Sequence, residues 1–199
     1  SPNYQWQFNG KNIAGANGST YHIPAIGVDK SGTYTVVVYN EDGLATSSPA
    51  TLKLSATVAI GNLSAVYDGS PHFATATTNP DGLKVTFTYT GSVNAPVNAG
   101  SYAVVGTIDD ATYGGSSTNS LQIVPSAPSI TWPSPVALVH GTVLSGIQLN
   151  ATAGIPGVFH YSPAPGSMLA EGTQTLSVTF NPTDSLNYST VNSTRTIIV

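Results

Sequence analysis

Residues able to move protons, hold metals or attack electrophiles are few in this chain and stand apart. The four histidines are His22, His72, His140 and His160. None lies within two to four positions of another, the spacing that local metal-binding pairs use. Serine is abundant, yet no Gly-x-Ser-x-Gly elbow is present to present a nucleophile at a sharp turn. Glycoside hydrolysis needs two carboxyl groups about 5–10 Å apart across one bond. Glu41 and Glu171 are the only glutamates, and both fall in turn sequences of different segments. With no cysteine there is no disulfide, no thiolate zinc site and no thiol nucleophile. The reading is a non-enzyme that requires no cofactor.

Three weaker chemistries remain. Asp81, Asp109 and Asp110 are candidates for calcium, an ion that takes six to eight oxygen ligands. The same aspartates also suit solvated turns in which the carboxylate accepts from local backbone N–H groups. Tyr39 is out of phase with Val36 and Val38, and Trp132 sits near a segment junction. Both rings are candidates for stacking on a sugar, against plain cross-strand and interdomain packing. Lys53 and Lys84 alternate with apolar neighbours and point outward, which disfavours an internal lysine–asparagine cross-link. Asn-x-Ser/Thr sequons occur at Asn17, Asn62, Asn150, Asn187 and Asn192, as chance supplies in a chain rich in these residues.

Composition narrows the class further. The 199 residues include only 7% charged, against about 25% in an average soluble protein. Hydrophobic residues still make up 40%, with recurring β-branched runs, so low charge here does not mean disorder. Net charge is −4, and Lys11, Lys30, Lys53 and Lys84 are scattered singly. Nucleic-acid binding needs clustered Lys and Arg, because affinity scales with the phosphates neutralised. No run of about 18 apolar residues exists to span a membrane.

The elements that must position any site are strands, and they recur. Gly32-Thr33-Tyr34-Thr35-Val36, Gly100-Ser101-Tyr102-Ala103-Val104 and Gly172-Thr173-Gln174-Thr175-Leu176 read alike. Their glycines are 68 and 72 residues apart, a period that indicates tandem β domains. Tyr89 and Tyr161 each precede the glycine of their repeat by 11 positions, and an acidic turn with a tyrosine follows: Asp109-Asp110 with Tyr113, and Asp184 with Tyr188. Period-2 alternation places Tyr4, Trp6 and Phe8 on one face, and likewise Tyr34, Val36 and Val38, then Leu176, Val178 and Phe180. Asn9-Gly10, Asn40-Glu41-Asp42-Gly43 and Asn79-Pro80-Asp81-Gly82 separate them as turns. The expectation is all-β: tandem immunoglobulin-like β-sandwich domains arranged as a rod. The boundaries are 1–54, 55–124 and 125–199, with Pro125-Ser126-Ala127-Pro128-Ser129 as a short, stiff connector.

The first segment resembles the immunoglobulin-like repeats of bacterial surface and secreted proteins, through Tyr4-Gln5-Trp6, Asn9-Gly10 and Asp29-Lys30-Ser31-Gly32-Thr33-Tyr34. The resemblance implies a core tryptophan, Trp6, and a tyrosine corner whose hydroxyl, on Tyr34, bonds to upstream backbone. The middle segment is similar to the MBG-type repeats of giant bacterial surface proteins, through Tyr67-Asp68-Gly69-Ser70-Pro71, Asn98-Ala99-Gly100-Ser101-Tyr102 and Asp110-Ala111-Thr112-Tyr113. The third resembles a related repeat in Ile130-Thr131-Trp132-Pro133, Gly141-Thr142 and Asn187-Tyr188, with His140 where such repeats often carry tyrosine. Structural roles are accordingly expected for Trp6, Tyr34, Tyr102, Tyr113 and Tyr188.

The first segment has 31 residues before its glycine where the others place about 43–45. The first domain is therefore expected to be incomplete at its N-terminus. Its first strands either belong to a longer chain or come from another subunit by strand donation. The function that follows is a non-catalytic structural or adhesive stalk of an extracellular or cell-surface bacterial protein or filament. Its partners would be other domains of a longer chain or copies of itself, with surface polysaccharide as a further partner. The alternative is an accessory carbohydrate-binding array of a secreted enzyme.

Overall fold

A computed structural model describes all residues, 1–199. The architecture is all-β: 49% of residues are in strands and 2% in helix, the latter a single 3₁₀ turn at Val28–Lys30. No helix is long and apolar enough to cross a membrane. Two compact units make up the chain. One holds Ser1–Leu63, Phe73–Asn94 and Ala103–Ser120; the other holds Ser64–His72, Ala95–Tyr102 and Leu121–Val199.

The first unit begins with one antiparallel sheet. Strand Asn3–Phe8 pairs with Lys11–Asn12 and with Gly32–Asn40, setting Trp6 opposite Val36 and Phe8 opposite Tyr34. Asn9 and Gly10 close the first hairpin with φ of 48° and 76°. That is the conformation a two-residue turn requires if its twist is to match the flanking strands. Gly32–Asn40 also pairs with Gly43–Thr46 and Ala50–Leu52. Asn40 shapes the intervening turn, its Oδ1 accepting from the N–H groups of Asp42 (2.9 Å) and Gly43 (3.1 Å). Both faces of this sheet are only half covered, and within residues 1–54 only Ala16 and Tyr34 are buried apolar side chains.

This corrects the expectation for Trp6. The ring is half-buried, not core, and its Nε1 donates to Gly18 O at 3.0 Å. Alternation along the strand gave the face correctly, but only a second layer can bury it, and in this unit one sheet carries Trp6.

The rest of the first unit packs Thr57–Gly61 against Thr75–Asn79 and Val85–Tyr89 against the Val104–Ile108 stretch of the next strand. Ala56, Val58 and Ile108 form its core, flanked by half-buried Ile60, Leu83, Val85 and Tyr113.

In the second unit Gly157–Ser162, Thr173–Pro182 and Val191–Ile198 form a three-stranded antiparallel sheet. Ile130–Thr131 pairs with Thr152–Ala153 as a second small sheet. Leu176, Val178 and Phe180 alternate inward along Thr173–Pro182 and are all but fully buried. Trp132, Leu144, Leu149, Leu169 and Ile197 complete that core. Trp132 is the second correction. It is 2% exposed, so neither ring face is open to a sugar. Its Nε1 donates to Gln148 O at 2.9 Å, and Arg195 Nε donates to its carbonyl at 2.8 Å. Trp132 reads as lying near a segment junction, yet the strand Ile130–Thr131 carries it straight into the third segment's core.

Candidate functional site

No three His, Asp or Glu side chains come together where a metal ion could be held. His72 Nε2 lies 3.3 Å from Asp68, and His140 Nδ1 lies 3.6 Å from Glu171. Of the calcium candidates, Asp109 pairs with Lys84 Nζ. The Asp110 carboxylate accepts the N–H groups of Thr112 (2.7 Å) and Tyr113 (2.8 Å). Those two backbone bonds hold the Asp110 carboxyl below its ordinary pKa, and the Lys84 ammonium does the same for Asp109. Asp81 stands apart in the turn at Asn79–Gly82. Lys53 Nζ donates to the Asp110 carbonyl at 2.6 Å.

What the folds do repeat is a corner. In the first segment the Tyr34 hydroxyl donates to Lys30 O at 2.8 Å; in the middle segment the Tyr102 hydroxyl donates to Asn98 O at 2.9 Å. In the third, Gln174 Nε2 reaches Ala170 O at 3.2 Å and Glu171 O at 3.5 Å. Each donor returns to the carbonyl four residues back, across a glycine two residues back. Those glycines have φ of +150° (Gly32), +155° (Gly100) and +99° (Gly172), conformations that side chains rarely adopt. Burial pushes the Tyr34 hydroxyl's pKa up, so the corner keeps its proton.

A second device is shared by the middle and third segments. The Tyr89 hydroxyl accepts from Ala74 N at 2.9 Å, and the Tyr161 hydroxyl accepts from Ala151 N at 2.8 Å. Position 11 before the glycine signals this pair of tyrosines in the sequence. Their backbone partners have no signature, because they lie 15 and 10 residues upstream, respectively.

Exposed aromatic surface in the first unit lies at Phe73, at Tyr39 and in a groove beside Trp6. Tyr39 is 45% exposed beside the Asn40–Gly43 turn, in a shallow groove it shares with Pro2 and Leu44. Trp6, Tyr21 and Tyr34 line a second groove of about 250 Å³. The Trp6 and Tyr21 rings are 6.0 Å apart, and Tyr21 and Tyr34 are 6.3 Å apart at 30°. Tyr21 gave no sign of this in the sequence, because it lies in an irregular stretch with no alternation to assign its face.

The segments are joined without a free linker. Strand Ala50–Leu52 pairs with Gly32–Tyr34, and after Lys53 alone the chain pairs in parallel with Tyr113–Gly114. Leu54 N–H donates to Thr112 O (2.8 Å) and Ala56 N–H to Gly114 O (3.0 Å). A Cβ on Gly115 would overlap the Ala56 carbonyl, so only glycine lets the two backbones approach this closely. In the second unit Ser126 plays the same part. Its N–H donates to Asn187 O, and its carbonyl accepts from Ser189 N–H, both at 2.9 Å. Tyr188 meets Tyr67 edge-on, with centroids 5.3 Å apart.

Residues 56–127 match the family model of the MBG domain. The match covers the middle segment and carries the three-residue corner Gly100-Ser101-Tyr102 and the turn at Asp110. No curated protein matches the chain. Among solved structures, extracellular domains 3–5 of Drosophila OTK are similar at 11% identity and a TM-score of 0.38, over 100% of this chain and 86% of that one. Sidekick-1 immunoglobulin domains 1–4 are similar at 16% identity and a TM-score of 0.26, over 99% and 65%.

Proposed function

We propose that the chain is a non-catalytic structural segment of an extracellular or cell-surface protein, a stalk of tandem domains bounded near residues 54 and 125. The observation that carries this reading is the way the backbone passes from segment to segment. At Lys53 and at Ser126 the chain goes directly from one set of strand hydrogen bonds into the next, which suits a part that bears load and holds spacing. Its partners are neighbouring domains of a longer chain or further copies of itself. Backbone hydrogen exchange tests the reading. The amides of Leu54, Ala56, Ser126 and Ser189 should be protected to the same degree as strand interiors. Exchange at the rate of an open linker would overturn it.

The exposed rings favour one second reading, an accessory carbohydrate-binding array. Trp132 takes no part in it; the platform would be Tyr39 or the Trp6–Tyr21 groove. A glycan array separates the two. Saturable binding abolished by Tyr39→Ala or Tyr21→Ala would establish the second reading, and its absence favours the first.

A further inference from the structure

We infer that Asn187 is the latch that locks the joint between the MBG segment and the segment after it, an inference that rests on the stalk reading. Asn187 is a neutral amide at 6% exposure, and every polar group it has is engaged. Its Oδ1 accepts from Ala99 N–H at 2.8 Å. Its Nδ2 donates to Asp184 Oδ2 at 2.9 Å and to Asn98 Oδ1 at 3.3 Å. Its own N–H donates to Asp184 Oδ1 at 3.2 Å, and its carbonyl accepts from Ser126 N–H at 2.9 Å. One side chain thus binds the Asn98-Ala99 corner of the MBG segment, the acidic turn of the third segment and, through its backbone, the connector between them.

The chemistry explains why asparagine stands here. The Ala99 N–H needs an acceptor and the Asp184 carboxylate needs a donor, within one short side chain. Aspartate would supply the acceptor but set a second carboxylate against Asp184 and Asn98 Oδ1. Alanine would leave the buried Ala99 N–H without its acceptor and remove the donor to the Asp184 carboxylate. The corner supplies the other half. Asn98 offers its carbonyl to Tyr102, its side-chain oxygen to Asn187, and the next N–H, that of Ala99, points to the same amide. Hence the Gly100 corner does two things: it closes its own strand, and it presents a docking edge. The joint at Lys53 has no counterpart. Its turn runs Asp110-Ala111-Thr112-Tyr113, without the asparagine, and Lys53 donates there instead. A corollary concerns the sequon Asn187-Tyr188-Ser189, whose amide nitrogen is held by two acceptors and so is closed to a glycan in the folded chain.

The experiment uses the full chain, which has no native cysteine to interfere. Spin labels at Val66→Cys and Thr196→Cys, both exposed strand positions, report the distance across the joint. The parent should give one narrow distance distribution. Asn187→Ala should broaden it at least twofold, while Trp132 fluorescence stays native. Asn98→Ala, an exposed position outside the third segment's turn, should broaden it less and guards against simple misfolding of that turn. A narrow parent distribution left unchanged by both variants overturns the latch alone. A distribution already broad in the parent overturns the stalk reading itself.

Discussion

The first and third segments carry the same local devices and differ in what lies over them. Each has a glycine of positive φ, a side chain returning to the carbonyl four residues back, and a tryptophan on or beside a strand. In the third, two sheets enclose Trp132 with Leu144, Leu149 and Leu176. In the first, Trp6 and Tyr21 lie in a groove on a single sheet, and the sheet's two faces are half covered. The difference shows that a strand's sequence specifies which residues face together, while stability comes from the layer laid against them. Local corners hold a strand's end in place but bury little area.

The largest expected effect is on the two tryptophans. Trp132→Ala should cost about 3–5 kcal/mol, the range for deleting a large buried ring. Trp6→Ala should cost roughly 1–2 kcal/mol, since a half-exposed ring has less apolar area to lose. Denaturant unfolding followed for each variant checks both, and equal losses would erase the distinction between the segments. Next in size is the joint at Lys53. Gly115→Ala forces a methyl into the Ala56 carbonyl and should cost about 1–3 kcal/mol, as overpacking usually does. A shift in the unfolding midpoint near zero would mean that the joint yields easily.

The corners come third. Tyr34→Phe removes one good hydrogen bond at a buried ring and should cost about 0.5–1.5 kcal/mol. Gln174→Ala removes two longer, exposed contacts and should cost less than about 0.5 kcal/mol. Thermal melts of the pair rank them, and the reverse order would show that the glutamine corner is the stronger. The smallest effect is acid sensitivity. The Asp110 carboxyl is held below its ordinary value by the Thr112 and Tyr113 N–H groups. Stability from these bonds is therefore fully present above the unfolded-state pKa of about 3.9. It is lost as pH falls through the lower folded-state value. Asp110→Asn should flatten the decline of the first unit's melting temperature between about pH 5 and pH 2, because an amide oxygen accepts from the same N–H groups at any pH. An unchanged slope would show that the turn does not contribute.

Much of the chain was legible in its residues. Alternation marked the strands at Tyr34–Val38 and Leu176–Phe180, Asn-Gly and Asn-x-x-Gly marked the turns, and the repeated Gly-x-Tyr marked two corners. These are short-range matters. A pleat sets which side chains share a face, a positive φ demands glycine, and a hydroxyl four residues on reaches back without help from the rest of the fold.

Partners far along the chain were decided only by the tertiary structure. Trp6 sits in the more regular strand and Trp132 in a proline-rich stretch, yet burial falls the other way, because the covering layers come from residues as distant as Leu144 and Leu176. Asn187 reads as one more sequon until the Asn98-Ala99 corner, 88 residues earlier, is brought to its amide. Sequence period and turn chemistry act over a few residues, whereas burial and polar satisfaction depend on which segments meet.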